Sequence, residues 1–206
     1  LEPLADDIPM SPQILYESGF DIEPGDEAEI LAETYTPYFN RAWNHFCSHS
    51  QTPPEKKGDS PAAIRAGNVV YFTHPLFRMF MRRGVRTYKQ LVLNALNLLL
   101  PEPLVKTNAP TTAHITLLFQ PIEQRHVLHV LHYIPERRYR DLATIEDVIP
   151  LRDVEVGLRL PAPQAAYLAP SGEALTFTER GGRVWLTIPE VHGHAMVVLE
   201  GHGGAE

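Results

Sequence analysis

ALTFTERGGRVWLTIPEVHGHAMVVL, residues 174–199, decides the fold. Arg180-Gly181-Gly182-Arg183 sits between two β-prone runs. A Gly-Gly pair supplies the positive φ values that a tight hairpin demands. The flanking runs 174–179 and 183–188, and then 195–199, read as strands separated by turns. Working backwards, 114–120, 126–133 and 154–160 have the same texture. Short strands at close, regular intervals are the pattern of an antiparallel sandwich or barrel. No helical period appears beyond Pro103.

The first half reads differently. Apolar residues Tyr88, Leu91, Val92, Ala95, Leu96 and Leu99 recur at helical spacing, and Lys89, Gln90, Asn94 and Asn97 fall on the other side. The spacing predicts a helix over 87–100, stopped by Pro101 and Pro103, which lack the N–H a helix needs. Residues 69–72 (VVYF), introduced by a Gly67-Asn68 turn signal, read as a buried strand of a parallel α/β layer. Residues 1–13 read as an irregular lead-in, 14–16 as a short strand, 29–36 as strand or early helix, and 51–61, with Pro53, Pro54 and Pro61, as a loop. The boundary between the halves is expected at 101–110. The expected class is α+β: an α/β remnant at 1–105, incomplete by itself, followed by an all-antiparallel β-sandwich at 106–206.

Composition excludes some function classes. Of 206 residues 44% are hydrophobic and 21% charged, as in an ordinary soluble domain. A net charge of -7 argues against a nucleic-acid partner, which needs clustered Lys and Arg. No apolar run is long enough to span a bilayer. The single cysteine, Cys47, cannot form an intrachain disulfide and is expected of a reducing, cytoplasmic compartment. No phosphate-binding glycine loop is present, no cofactor is expected, and the glycines after Glu200 read as a frayed end.

The aromatic stretch 37–49 (PYFNRAWNHFCSH) holds the candidate sites. Tyr38, Arg41 and Trp43 suit either a sugar-contacting edge, through stacking and a forked guanidinium, or a packing loop at a domain or subunit interface. The interface is the preferred reading. His45, Cys47 and His49 are of zinc-ligating type. They share a face only if extended, and a closed zinc site would need a fourth ligand. The competing reading is a loop in which they make hydrogen bonds. His126, His129 and His132 cannot converge from a strand, because His129 faces the other way. They and the pair His192 and His194 read as edge or solvent-facing sheet positions. Asp141, Glu146 and Asp147 are carboxylates beside Glu136-Arg137-Arg138, read as solvated ion pairs rather than a glycosidase pair.

Six segments together carry a resemblance: 37–41 (PYFNR), 45–49 (HFCSH), 67–72 (GNVVYF), 91–101 (LVLNALNLLLP), 145–150 (IEDVIP) and 191–200 (VHGHAMVVLE). In their order and spacing the chain resembles the C-terminal region of alpha-L-fucosidase-like glycoside hydrolases related to family 42 beta-galactosidases, over most of residues 14–200. The resemblance implies an upstream TIM-barrel catalytic domain, then a glutamine-amidotransferase-like (flavodoxin-like) beta-galactosidase trimerisation domain, then a small terminal β-sandwich. It implies no catalytic residue in this chain, because the family's carboxylates lie on the barrel. The implied partners are that barrel, sister subunits and carbohydrate. Aromatics for a carbohydrate-binding sandwich would come from Tyr133, Tyr139, Tyr167, Phe177 and Trp185.

Overall fold

The computed structural model describes residues 2–49 and 51–201. Contacts divide the chain into two units, Leu1–Glu102 and Pro103–Glu206.

In the first unit, a 3₁₀ turn at Glu2–Leu4 leads into β1 (Glu29–Pro37), β2 (Pro54–Ala66), β3 (Val69–Phe72), α1 (Leu76–Arg83) and α2 (Arg86–Leu99). The sheet order is β1-β2-β3, and both pairings are antiparallel. The parallel α/β layer expected around 69–72 is therefore corrected. Gly67 (φ 54°) and Asn68 join β2 to β3, and so short a link can connect only antiparallel neighbours. The loop expected at 51–61 is also corrected, because most of it belongs to β2. Pro54 and Pro61 are tolerated because β3 pairs only with residues 63–66, so the proline-bearing part of β2 has β1 on one side alone. Irregular pairing along β1 absorbs the rest.

The helix expected at 87–100 is α2. Tyr88, Leu91 and Ala95 are buried against Leu31, Ala32, Ala63, Leu76 and Met79. The lead-in adds Leu4 and Ile8 to this core, and residues 14–16 form no strand. Asn94, placed by spacing on the polar side, is buried: its Nδ2 donates to Leu4 O (2.8 Å) and Asp6 O (2.7 Å), fixing the lead-in to α2. The shorter α1 was not expected. Leu76 and Met79, three apart, turn its buried side inward, and Gly84 (φ 64°) ends it in the left-handed conformation.

In the second unit the strands are β4 (Val105–Thr107), β5 (Ala113–Gln120), β6 (Arg125–His132), β7 (Glu136–Arg137), β8 (Ala143–Thr144), β9 (Leu151–Leu158), β10 (Ala165–Ala169), β11 (Phe177–Arg180), β12 (Arg183–Val191) and β13 (His194–Glu200). Two four-stranded antiparallel sheets, β10-β13-β6-β5 and β11-β12-β9-β4, share one core. Its residues alternate along each strand: Leu128 and Val130; Ala195, Val197 and Leu199; Val154, Val156 and Leu158; Leu186 and Ile188. β7 and β8 form a separate two-stranded ribbon. The expected hairpin is present: Gly181 (φ 58°) and Gly182 (φ 68°) connect β11 to β12. Just after it, Arg183 is buried, and its guanidinium donates to Pro103 O (2.6 Å), Leu104 O (3.3 Å) and Gly157 O (3.4 Å).

The described residues thus form mostly antiparallel β-sheet with two short α-helices. Among the described residues no helix is long and apolar enough to cross a membrane. Apart from Gly201, the glycine-rich end read as frayed lies outside the described residues, as does Leu1.

Candidate functional site

β1 and β2 continue past their paired ends into an extended hairpin. Bridges pair Asn40 with Gln51 and Ala42 with His45. At the tip, Ala42 N donates to His45 O (2.8 Å) and His45 N to Ala42 O (3.2 Å), which leaves Trp43 and Asn44 as a two-residue loop. Further back, Thr52 Oγ1 donates to Phe39 O (3.0 Å), accepts from Phe39 N (3.3 Å), and so closes the neck. Hydrogen bonds thus hold the tip of the hairpin at 42–45 and its neck at 38–40 and 51–53.

Its side chains are not buried. Trp43 is 95% exposed, Phe46 78% and Tyr38 61%, and Tyr35 on the adjoining strand is also exposed. The Arg41 guanidinium lies 6.0 Å from the centre of the Phe46 ring. Tyr38, Arg41 and Trp43 thus fall on one exposed hairpin, with Phe46 as a fourth member that sequence reading left inside the histidine segment. Large aromatics this exposed contribute almost nothing to the fold of the chain. Scattered single exposures need no explanation, but four within twelve residues form an exposed aromatic patch.

The candidate metal ligands do not converge. The His45 ring lies against Phe39, centroids 5.5 Å apart. Cys47 Sγ donates to His49 O (2.8 Å), and His49 Nε2 lies 3.2 Å from Tyr16 Oη. Among the described residues no group of three or more His, Cys, Asp or Glu is placed to hold a metal ion. The three side chains serve the loop instead.

The remaining candidates sort by sheet face. His132, expected at a solvent-facing position, is buried: its Nε2 lies 3.0 Å from Thr112 Oγ1 and its Nδ1 3.2 Å from Ile149 O. Two hydrogen-bonding partners from neighbouring loops make that burial possible. His126 packs on Phe119, centroids 4.8 Å apart, and burial holds its pKa below the ordinary 6.5. On the outer face of the same sheet His129 Nδ1 and His194 Nε2 lie 3.0 Å apart. Arg138 pairs with Glu136 and Glu146, each at 2.7 Å, and Arg137 with Asp141 at 3.8 Å. All of these are exposed, so this region has no low-dielectric pocket that would make an acid catalyst of a carboxyl.

The aromatics of the sandwich do not form one platform. Phe177 packs on the core, Tyr167 Oη donates to Glu200 Oε1 (2.7 Å) on the other sheet, and Trp185 faces outward from β12. Cross-strand from Trp185 are Thr178 and Gly157. A Cβ at Gly157 would lie 2.7 Å from Cε2 and Cζ2 of the indole, so the ring rests flat on bare backbone. Arg180 lies over it at 4.5 Å, and Nε1 donates to Arg180 O at 3.3 Å.

No protein-family model matches the sequence, and no curated protein matches it. Among solved structures, 85% of the chain aligns with alpha-L-fucosidase isoenzyme 2 from Paenibacillus thiaminolyticus at 36% identity and a TM-score of 0.79. The aligned part is 27% of that enzyme, so the chain spans about a quarter of its length. A cycloisomaltooligosaccharide glucanotransferase from Paenibacillus sp. aligns over 55% of the chain and 20% of its own, at 13% identity and a TM-score of 0.26, too low to carry an argument. The chain is a β-rich region related to part of a glycoside hydrolase.

Proposed function

We propose that this chain is the C-terminal, non-catalytic assembly region of a glycoside hydrolase acting on fucosides or β-galactosides, and that its aromatic hairpin docks onto a sister subunit. Hydrolysis then belongs to an upstream TIM-barrel domain. The single observation that carries the docking reading is the exposed cluster of Tyr38, Trp43 and Phe46 on a hairpin closed by hydrogen bonds at its tip and neck. A preformed loop loses little conformational entropy on binding, and Trp and Tyr are enriched among the residues that dominate interfaces. Arg41 adds a planar donor beside the aromatics, as interfaces favour.

The likeness to an alpha-L-fucosidase supports the class of the parent enzyme. The exposure of the carboxylates Asp141, Glu146 and Asp147 supports the absence of chemistry here, since catalytic acids need a shielded site.

The test is Trp43→Ala together with Phe46→Ala. Trp43 is 95% exposed in the isolated chain, so its removal is expected to leave folding stability within about 0.5 kcal/mol of wild type. Truncating an interface anchor costs about 2 kcal/mol or more of association, roughly a thirtyfold weaker dissociation constant. Analytical ultracentrifugation reads the association and thermal unfolding the stability. Equal loss of both, or of neither, overturns the reading. So does cleavage of an aryl fucoside or galactoside by the purified chain.

A further inference from the structure

We propose that His129 and His194 form a surface chelate for one late first-row transition-metal ion, copper(II) above the others. This goes beyond the docking role of the hairpin and stands on residues of the other unit.

The pair is a product of the pleat. The core takes Leu128 and Val130 from β6 and Ala195 and Val197 from β13, so His129 and His194 fall on the opposite, outer face. They are diagonal neighbours there, His129 opposite Met196 and His194 opposite Leu131. Both strands lie inside the sheet order β10-β13-β6-β5, so ladder hydrogen bonds pin each backbone from two sides. Nδ1 of His129 and Nε2 of His194 are 3.0 Å apart, with the ring planes 9° from parallel. Two lone pairs do not face each other at that distance, so one nitrogen carries a proton and donates it to the other. The donor ring can hold that proton on its second nitrogen instead. Both facing nitrogens are then free to bind a cation, with no net proton lost.

The spacing suits that exchange. Two nitrogens bound about 2.0–2.1 Å from one ion, at a right angle or a tetrahedral angle, lie about 2.9–3.4 Å apart. The observed 3.0 Å falls in that window, so binding turns the two rings about their own bonds and leaves the strands in place.

The surroundings narrow the ion. The cross-strand neighbours of the pair are Thr116, Leu131 and Met196, none of them charged. Calcium and magnesium take oxygen ligands, carboxylates above all, and these neighbours supply no carboxylate. Imidazole suits copper, nickel and zinc, and copper(II) binds tightest in that series. Met196 adds a thioether to the same face, a ligand type that copper accepts. A closed zinc site takes four protein ligands. Among the described residues no group of three His, Cys, Asp or Glu is so placed, so this chelate stays open to water and its affinity is micromolar.

The experiment uses the full chain carrying Cys47→Ser, which removes the one thiol that would compete for copper. Copper(II), zinc and magnesium are titrated in turn by calorimetry, and electron paramagnetic resonance reads nitrogen ligation of the copper. The expected result is one copper per chain bound through two imidazole nitrogens, weaker zinc binding and no magnesium binding. Loss of a mere supporting partner weakens metal sites by about 10–100-fold, so His129→Gln and His194→Gln are each expected to weaken copper binding at least about tenfold. Both are surface changes, so the metal-free melting temperature is expected to stay within about 3 °C. His45→Gln in the hairpin, and His114→Gln opposite Leu131 on the same sheet, are expected to leave the affinity unchanged. No saturable copper uptake overturns the proposal. Undiminished binding in His129→Gln or His194→Gln overturns it too, as does an equal loss in His45→Gln or His114→Gln, or equal binding of magnesium. Failure would leave the hairpin reading intact, because neither imidazole belongs to the hairpin.

Discussion

Gly157→Ala gives a direct reading of how Trp185 is held. The added Cβ would lie 2.7 Å from Cε2 and Cζ2 and 2.8 Å from Cδ2 of the indole, all below any tolerable carbon–carbon approach. The clash is with a rigid ring, so the indole must lift from β9 as a whole. Tryptophan carries up to about 250 Å² of surface. If about 100 Å² of the half-buried ring is returned to water at about 25 cal/mol per Å², the loss is about 2.5 kcal/mol. Alanine recovers up to about 1 kcal/mol of strand preference over glycine. The net destabilisation is about 1.5 kcal/mol, or about 6 °C in melting temperature for a unit of this size. Thermal unfolding by circular dichroism measures it, and indole emission in the Trp43→Phe background is expected to shift to the red. Gly25→Ala serves as the control, since nothing lies within 4 Å of its added Cβ. An unchanged melting temperature and unchanged emission in Gly157→Ala would refute the placement of the ring.

Two further outcomes follow from buried polar groups. Asn94→Ala removes both donors that hold Leu4 O and Asp6 O, and is expected to cost about 1–3 kcal/mol, read as a lower midpoint in urea and faster amide exchange at residues 4–8. His74 is held below its ordinary pKa of 6.5 chiefly by burial, partly opposed by Asp21, and His126 is lowered by burial alone. In both, the unfolded chain binds protons more readily than the folded one, so stability rises with pH. It is fully present above pH 6.5 and is lost as pH falls from there through the lower folded pKa values. His74→Gln should flatten that slope in denaturant midpoints between about pH 7 and 5, and an unchanged slope would assign it elsewhere.

Much of the sandwich was legible because its strands alternate. Leu128 and Val130, or Val197 and Leu199, announce a half-buried strand, and Gly181-Gly182 announces the turn that fixes register. β10 escaped because AAYLA, between prolines, has neither β-branched residues nor clear alternation. In the first unit the errors share one cause. VVYF is apolar throughout, and such a run does not say whether its neighbour is parallel or antiparallel. Only the length of the 67–68 link decides that, because two residues can close a hairpin but not a parallel crossover. Prolines hid β2 because a strand with one paired side admits them. Asn94 sat on the wrong side of the helical wheel because its partners lie 88 and 90 residues upstream, beyond any local pattern.

The candidate site divides the same way. Tyr38, Arg41 and Trp43 were visible as an unusual aromatic loop, yet nothing local said that Trp43 occupies a two-residue tip. Phe46 was passed over because the flanking His45, Cys47 and His49 suggested metal chemistry, whereas the fold gives each of the three a different neighbour. The facing of Trp185 could not be read from alternation alone. Its outward facing follows from the pleat that buries Val184, Leu186 and Ile188, and Gly157, twenty-eight residues away, leaves room for the ring there.

The docking role of the hairpin is tested most directly by light scattering after size-exclusion chromatography, on the chain and on its Trp43→Ala, Phe46→Ala variant. The expected result is a discrete multiple of 23.2 kDa for the chain and a shift to 23.2 kDa for the variant. A chain that elutes as a 23.2 kDa monomer at every concentration, or an oligomer indifferent to both substitutions, would contradict it.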